Sequence, residues 1–307
     1  MLMHDLVIIG AGPAGLTAAL YAGRFRLKTA ILEKMTAGGQ ILLSTAIDNY
    51  PGFPGGISTF ELIDRFKKQV EDLRLEIENK EVIGISRGSD SGSLFYEIKT
   101  QDQTLKTKTV IIATGASPRR LGIPGEEKLT GRGISYCGTC DGPLFKDKDI
   151  VVVGGGNRAL EEAIFLSGYA KKVNLIHRRL ALRASKIVEE KARANPKINF
   201  ILETVVEEIK GDNKVEAVKI RNVKTNLIDE IPCQGGFIFV GINPNTGFLK
   251  NLLEIDEGGF IITDQEMQAS LPGIFACGDC RKKNLWQVVN ACGEGATASA
   301  SAQRYLL

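Results

Sequence analysis

The stretch that decides the fold is DLVIIGAGPAGLTAALYAGRFRLKTAILEK, from Asp5 to Lys34. It consists of an apolar run, a glycine-rich turn, a helix-like segment and a second apolar run. The stretch DIVVVGGGNRALEEAIFLSGYAKKVNLIHRR, from Asp149 to Arg179, repeats this order. An apolar strand, a helix and another apolar strand in succession form a βαβ unit, so the repeat predicts two parallel sheets.

Short strands are predicted after each copy of the repeat, where apolar and β-branched residues lie between turn-forming residues. In the first half they are residues 81–86, 94–100 and 109–113, with a turn predicted at 88–90. In the second half they are residues 205–209, 215–222 and 236–240. The C-terminal part adds a strand at 273–276 and a small-residue helix at 288–305, which we expect to complete the first domain.

The repeat and its flanking strands predict an α/β fold class with two Rossmann-like domains of the three-layer ββα type. We expect the first domain to be discontinuous, formed by residues 1–115 and 242–307. The second domain, residues 116–241, would then be inserted into the first and joined to it by two hinges.

Composition places the chain among ordinary globular proteins. Of its 307 residues 43% are hydrophobic and 24% are charged, which excludes a disordered or collagen-like chain. The net charge of +3 is too small to indicate nucleic-acid binding, and six cysteines are too few for a secreted disulfide scaffold. No apolar run approaches the roughly 18 residues of a membrane span. Because a strand pattern begins at Leu6, we expect no signal peptide and a cytoplasmic location.

The first glycine-rich turn has the G-x-G-x-x-G pattern that binds the pyrophosphate of a dinucleotide. Its residues are Gly10, Ala11, Gly12, Pro13, Ala14 and Gly15. The first glycine permits a tight turn, the second lets a pyrophosphate approach the backbone, and the third lets the helix pack on the strand. Glu33 ends the second apolar run, where a carboxylate can bind ribose hydroxyls. The site suits FAD or NAD, and the alternative is a glycine turn that binds nothing.

The second glycine-rich turn is followed by basic residues instead of an acid. The turn consists of Gly154, Gly155, Gly156, Asn157, Arg158 and Ala159. The second apolar run ends at His177, and Arg178, Arg179 and Arg183 follow it. Guanidinium groups pair with phosphate through charge-assisted hydrogen bonds, so this site suits the 2′-phosphate of NADP. The alternative is a solvated basic face. Two dinucleotide sites in one chain indicate electron transfer between two cofactors.

Cys137 and Cys140 form a C-x-x-C pair that Asp141 follows directly. Such a pair is either a redox dithiol or half of a zinc site. Because a zinc site would require the distant pair Cys277 and Cys280 to meet the first pair, we expect redox chemistry and no metal. In a redox pair one thiolate attacks an external disulfide and the second resolves the mixed disulfide. Asp141 is placed to move protons to or from a sulfur, or is only a turn residue.

Across nearly its whole length the sequence resembles the low-molecular-weight thioredoxin reductases of bacteria and archaea. The motifs that carry the resemblance are the first glycine turn, Gly38-Gly39-Gln40, Asn49-Tyr50-Pro51-Gly52-Phe53-Pro54, Ala113-Thr114-Gly115-Ala116, Cys137 to Asp141-Gly142, His177-Arg178-Arg179 and Gly278-Asp279. The resemblance implies FAD in the discontinuous domain, NADPH in the inserted domain, and a homodimer.

The resemblance also implies a role for each part of the site. Cys140 is implied to face the flavin, and Cys137 is implied to attack thioredoxin, the protein substrate. NADPH would reduce the flavin and the flavin would reduce the disulfide, with a rotation of the inserted domain between the two steps. The residues implied to hold the flavin are Gly12, Pro13, Ala14, Gly15, Glu33, Gly39, Gln40, Thr45, Asn49, Thr114, Gly115, Gly278, Asp279, Gln287 and Val288.

Several residues depart from the pattern of the family that the sequence resembles. Gly138 stands where alanine is common, Arg158 where serine or threonine is usual, and Trp286 where arginine precedes the glutamine. These departures leave open a flavin thioredoxin reductase driven by ferredoxin or NADH, a dithiol oxidase of the same fold, and a non-catalytic flavin-binding or zinc-stabilised scaffold. The other cysteines near the C-terminus are expected to be small buried residues, or to form an auxiliary disulfide. They are Cys277, Cys280 and Cys292.

Overall fold

The computed structural model describes residues 3–43, 46–47, 49–90, 93–249 and 251–307. In chain order, the first elements are β1 (Met3–Ile9), α1 (Pro13–Arg24), β2 (Thr29–Glu33), β3 (Ala46–Ile47), β4 (Ile57–Ser58), α2 (Thr59–Glu71), β5 (Ile77–Asn79), β6 (Val82–Asp90), β7 (Ser93–Thr100), β8 (Thr104–Ile112) and β9 (Ala116–Pro118). The next are α3 (Glu126–Leu129), β10 (Ile134–Ser135), α4 (Gly138–Asp141), β11 (Asp149–Val153), α5 (Asn157–Ser167), β12 (Lys172–Ile176), α6 (Lys186–Arg193), β13 (Ile198–Ile201), β14 (Thr204–Lys210), β15 (Ala217–Asn222), β16 (Ile228–Pro232), β17 (Gly235–Ile238) and β18 (Ile242–Pro244). Towards the C-terminus follow β19 (Ile274–Ala276) and α7 (Val288–Leu306), and short 3₁₀ helices lie at Gly39–Leu43, Gly142–Phe145, Gly247–Leu249 and Gly278–Cys280.

The first large sheet has the strand order β5-β2-β1-β8-β7-β6, and β19 also pairs with β8. β1 lies parallel to both β2 and β8, and β19 lies parallel to β8. β6, β7 and the start of β8 pair antiparallel. A strand from the C-terminal part of the chain therefore belongs to the sheet that the N-terminus begins.

The second large sheet has the order β10-β17-β11-β12-β13 and is parallel throughout. An antiparallel sheet of β14, β15 and β16 lies beside it. β9 pairs antiparallel with β18, so the two connections between the sheets run side by side. The predicted α/β fold class with two Rossmann-like units is confirmed.

The two central strands are buried on both faces, and their side chains alternate between two core clusters. In β1, Leu6 and Ile8 pack with α1, whereas Val7 and Ile9 pack with β7 and β8. Successive side chains of a strand point to opposite faces, which gives this division. The same alternation holds along Ile150–Val153 in β11, between α5 on one face and the antiparallel sheet on the other. Each unit is therefore a parallel sheet between a helical layer and an antiparallel layer.

The structure corrects three details of the predicted strands. β6 continues to Asp90, through the residues predicted to form a turn, and β8 begins at Thr104 instead of Thr109. β16 at Ile228–Pro232 is absent from the sequence prediction, although it pairs along its length with β15. All of its residues except Ile231 are exposed, and apolar and polar residues do not alternate along it, so no sequence pattern indicates a strand. Within the described residues no helix is both long and apolar enough to cross a membrane.

α1 and α7 pack closely because small residues line their contact. A Cβ atom on Gly295 would lie 2.2 Å from the carbonyl oxygen of Ala14, so the backbones of the two helices almost touch there. Gly293, on the same helix, is exposed. A Cβ atom on Gly293 would meet no described atom within 4 Å.

Replacing Gly295 by alanine should lower the free energy of unfolding by about 1–3 kcal/mol, because the added methyl group overpacks a backbone contact. Gly293→Ala is the matched control, and it should raise stability by up to about 1 kcal/mol because alanine favours the helix. Urea unfolding of the two variants, followed by circular dichroism, measures both effects. Equal midpoints for the two variants would contradict this account of the helix contact.

Candidate active site

The first glycine turn places the start of α1 directly over the end of β1. Gly10 has a φ of 105°, in the left-handed region that favours glycine. A Cβ atom on Gly15 would lie 1.8 Å from the carbonyl oxygen of Gly10, so the contact requires glycine. At Gly12 the nearest described atom to such a Cβ is the Gly38 carbonyl oxygen, at 3.8 Å. The space before the helix is thus open, and helix N-termini bind anions such as pyrophosphate.

The carboxylate of Glu33 is fixed beside this turn by two backbone hydrogen bonds. Its Oε2 accepts from the Ala11 N–H at 2.8 Å, and its Oε1 accepts from the Met35 N–H at 3.1 Å. The Gly38 N–H donates to the Ala11 carbonyl oxygen at 2.8 Å. This hydrogen bond holds the neighbouring residues Gly39 and Gln40 beside the first glycine turn. The predicted flavin residue Thr45 lies outside the described residues.

The opposite side of the turn is formed by two segments from later in the chain. Thr114 and Gly115 follow β8, and Asn245 binds both of them through hydrogen bonds to their carbonyl oxygens at 2.9 and 3.0 Å. Gly278 has a φ of 75°, and a Cβ atom there would lie 2.8 Å from the Cβ of Ala14. These segments close around the start of α1, and the whole arrangement fits the dinucleotide FAD.

A buried ion network fixes the Gly278-Asp279 loop to α7. Glu294 accepts a hydrogen bond from the Gly278 N–H at 2.7 Å and from Arg281 at 2.8 Å. Lys283 lies 2.8 Å from an oxygen of Asp279 and 3.5 Å from an oxygen of Glu294, and its side chain is 4% exposed. Two acids and two bases balance one another, so removal of one leaves an uncompensated buried charge. Sequence reasoning missed this network, and its only signal is a glutamate in an otherwise small-residue helix.

Cys137 and Cys140 are joined in a disulfide at the start of α4, with their Cα atoms 5.3 Å apart. The Cys140 N–H donates to Cys137 Sγ at 3.2 Å, so Cys137 caps the short helix. Asp141 ends α4, directly after the pair, and is buried. The structure therefore brings the three predicted catalytic residues together.

A chain of side-chain contacts links the disulfide to the first unit. Asn49 donates to Gln287 at 3.0 Å, and Gln287 donates to Thr139 at 3.0 Å. Thr139 Oγ1 lies 3.5 Å from Cys137 Sγ. Gln287 caps α7, which begins at Val288. Thr139 is a further site residue that sequence reasoning missed, since its partner lies far away in the chain.

Trp286, which precedes Gln287, packs its ring against Phe260 with the centroids 6.1 Å apart. Its indole Nε1 is buried without a hydrogen-bond partner in the part of the chain that the structure describes. The tryptophan therefore supports the start of α7 through an aromatic contact.

The second glycine turn repeats the geometry of the first. A Cβ atom on Gly154 would lie 2.6 Å from both Ala159 Cβ and the Phe239 carbonyl oxygen. Gly156 precedes α5, and a Cβ atom there would meet no described atom within 4 Å. Asn157 accepts a hydrogen bond from the Ser185 N–H at 2.7 Å, which ties the loop after β12 to the turn. The open helix start suits a second pyrophosphate.

The basic cluster after β12 divides into one buried and three exposed side chains. The ring of His177 lies against Gly155, where a Cβ atom would come within 2.4 Å of it. Burial, followed by the charge of Arg183, lowers the pKa of His177, so the imidazole supports the turn in its neutral form at pH 7. The guanidinium groups that remain open to a phosphate are those of Arg178, Arg179 and Arg183.

Arg158 contacts protein groups in this structure. Its guanidinium lies over the Phe239 ring, 5.6 Å from the centroid, and donates to the Tyr136 carbonyl oxygen at 3.5 Å. These contacts connect the start of α5 with the strand that leads to Cys137.

The second C-x-x-C differs from the first in geometry. Cys277 packs in the core cluster on the α1 face of the first sheet, whereas Cys280 packs in the cluster on the other face. Both thiols are free and buried, and burial raises their pKa values. Cys233 and Cys292 are also free and buried. In the described ranges no group of three or more His, Cys, Asp and Glu residues could hold a metal ion.

Two open helix starts, a C-x-x-C disulfide and a carboxylate fixed beside the first glycine turn are the features of a dinucleotide-dependent disulfide oxidoreductase. The family of pyridine nucleotide-disulphide oxidoreductases matches residues 4–295, and the chain belongs to this family. The predicted family, the enzyme class and the cofactors FAD and NADPH are confirmed.

The chain is similar to proteins known as thioredoxin reductases. That of Peptoclostridium litorale is 43% identical over 310 residues, with 99% of this chain and 97% of the relative covered. A crystal structure of thioredoxin reductase from Streptococcus pyogenes is 48% identical and superimposes with a TM-score of 0.92, covering 99% of this chain and 98% of that one. The Lactococcus lactis enzyme in its "FR conformation" is 44% identical with 99% coverage of both chains, yet its TM-score is 0.68.

Replacing Lys283 by methionine should weaken FAD binding at least tenfold, because Asp279 and Glu294 lose their shared cation and the loop that fits the flavin loosens. Lys282→Met is the matched control, since Lys282 is exposed and carries the same charge. Titration of the apoprotein with FAD, followed by flavin fluorescence, measures the dissociation constants. Equal affinities for the two variants would show that the network does not fix the loop.

Proposed function

We propose that the chain reduces the disulfide of oxidised thioredoxin with electrons from NADPH, through FAD and the Cys137–Cys140 pair. The observation that carries the proposal is the position of this disulfide. It is linked through hydrogen bonds of Thr139 and Gln287 to Asn49, a predicted flavin residue of the first unit. A disulfide held there can accept electrons from a flavin bound at the first glycine turn. The names of the relatives support thioredoxin as the oxidised substrate.

FAD held at the first glycine turn would provide a hydride acceptor for NADPH and an electron pair for the Cys137–Cys140 disulfide. Two electrons and two protons convert the Sγ–Sγ bond into two thiols, and Asp141, beside Cys140, can supply or accept one of these protons. After Cys137 loses its proton to solvent, its thiolate attacks one sulfur of the thioredoxin disulfide, forming a mixed disulfide and releasing the other thioredoxin sulfur as a thiolate. Cys140 next attacks Cys137, which restores the original disulfide and releases reduced thioredoxin.

We also propose that the chain folds into two domains, one inserted into the other. Residues 1–115 and 242–307 would form the FAD-binding domain, and residues 116–241 the inserted NADPH-binding domain. The pairing of β19 with β8 and the paired connections β9 and β18 support this division. A rotation about these connections would exchange the disulfide for NADPH at the flavin. The unequal TM-scores of two relatives of similar identity support such a movement.

The oligomeric state and the cellular location are proposed from the similarity of the chain to thioredoxin reductases. We expect a cytoplasmic homodimer that binds neither nucleic acid nor membranes. The near-neutral net charge of +3 supports the absence of nucleic acid. Sedimentation equilibrium of the flavin-loaded protein tests the dimer.

Cys137→Ser and Cys140→Ser should each abolish NADPH-dependent reduction of thioredoxin, because one thiol cannot complete the exchange. Flavin reduction by NADPH in a single anaerobic turnover should persist in both variants. Stopped-flow absorbance of the flavin and a coupled thioredoxin assay measure the two steps.

Cys233→Ala is the control, since Cys233 is a free cysteine of the same unit, and it should retain turnover. Turnover with thioredoxin in Cys137→Ser would rule out the proposed thiol exchange.

A further inference from the structure

Glu162 lies on α5 with its carboxylate against the first residue of α4. Its Oε2 is buried and has no hydrogen-bond partner among the residues that the structure describes. Burial raises the pKa of Glu162, and the nearby Arg158 guanidinium only partly opposes this shift. An unpartnered buried oxygen is destabilising, so the stability of α5 does not account for a glutamate at this position.

The carboxylate of Glu162 lies where a side chain at position 138 would begin, so a residue larger than glycine there would have to displace it. A Cβ atom on Gly138 would lie 2.1 Å from Glu162 Oε2 and 3.1 Å from its carboxyl carbon. The carboxyl group therefore occupies the volume that an alanine methyl group at position 138 would fill. Gly138 lies between the two cysteines, so this contact is made within the redox motif itself.

Leu166, one turn further along α5, supports the other end of the motif. A Cβ atom on Gly142 would lie 3.0 Å from Leu166 Cδ2, and one on Gly138 would lie 3.5 Å from Leu166 Cδ1. Residues four apart share one face of a helix, so Glu162 and Leu166 form a continuous surface under α4. Arg158, on the preceding turn, contacts Phe239 and the Tyr136 carbonyl instead of completing an ion pair with Glu162.

We propose that Glu162 is a positioning residue for the redox disulfide. With Leu166 it forms the surface on which α4 rests, and so it sets where Thr139 and the Cys137–Cys140 pair lie relative to Gln287. Because Gly138 has no side chain, the carboxyl group of Glu162 fills the space beside the backbone of the redox motif. The inference rests on the proposed function in one respect, because it assumes that the Cys137–Cys140 disulfide accepts electrons from the flavin.

A double-mutant cycle on the flavin-loaded enzyme tests the proposal. The measured quantity is the rate at which the disulfide reoxidises the reduced flavin in one anaerobic turnover, with the KM for NADPH as the second readout. Gly138→Ala should slow this rate about threefold, because the methyl group displaces the Glu162 carboxylate from under α4, and Glu162→Ala should slow it about as much by removing that surface. The double variant should recover most of the rate, because the new methyl group fills the vacated volume.

Glu162→Gln tests whether the shape of the side chain, without its charge, is enough to maintain the rate. Because the amide keeps the shape of the carboxyl group and resembles its protonated form, this variant should stay within about twofold of the unaltered enzyme. The KM for NADPH should be unchanged throughout. Glu190→Gln is the control for an exposed carboxylate.

Slowing in the double variant equal to the product of the two single effects would overturn the proposal, as would full activity of Glu162→Ala. If Gly138→Ala does not fold, recovery of a folded, active double variant still supports the proposal, and a low rate of Glu162→Gln equal to that of Glu162→Ala overturns it. Absence of any electron transfer to the disulfide in the unaltered enzyme would instead refute the proposed function.

Discussion

The close approach of helix and strand at the two glycine turns is the constraint on which the structure depends. At Gly15 even a methyl group would lie 1.8 Å from a backbone oxygen, and at Gly154 it would lie 2.6 Å from one. These contacts place the start of α1 and of α5 over the ends of the central strands. Because each helix then begins beside open space, each unit offers its backbone N–H groups to an anion. The rest of the site is arranged around these two positions.

The parts of the fold that local patterns determine could be predicted from the sequence. Leu6–Ile9 and Ile150–Val153 are continuous apolar runs because both faces of a central parallel strand are covered. β16 could not be predicted, because four of its five residues are exposed and they show no alternation of apolar and polar side chains, although the strand pairs with β15 along its length. The glycine turns, Glu33 and the Cys137–Cys140 pair can be proposed as site residues from the sequence, because their expected chemistry depends on spacing within one segment.

The contacts that complete the site join residues far apart in the chain, and the sequence does not reveal them. The Thr139–Gln287 hydrogen bond and the Lys283–Glu294 ion pair depend on tertiary packing. The two C-x-x-C motifs show the limit of spacing as a signal. Cys137 and Cys140 bracket one turn of a helix and form a disulfide, whereas Cys277 and Cys280 have the same spacing but lie on opposite faces of a sheet. Spacing alone fixes neither pairing nor function.

The central claim is that the Cys137–Cys140 disulfide exchanges electrons with a flavin held beside α1. Anaerobic reductive titration of the flavin-loaded protein tests it most directly, by counting the electrons taken up before the flavin absorbance is fully lost. The account predicts two electron pairs for each chain, one for the flavin and one for the disulfide, and a single pair for Cys140→Ser. Complete loss of flavin absorbance after one pair in the unaltered protein, with the disulfide still intact by thiol counting, would contradict it.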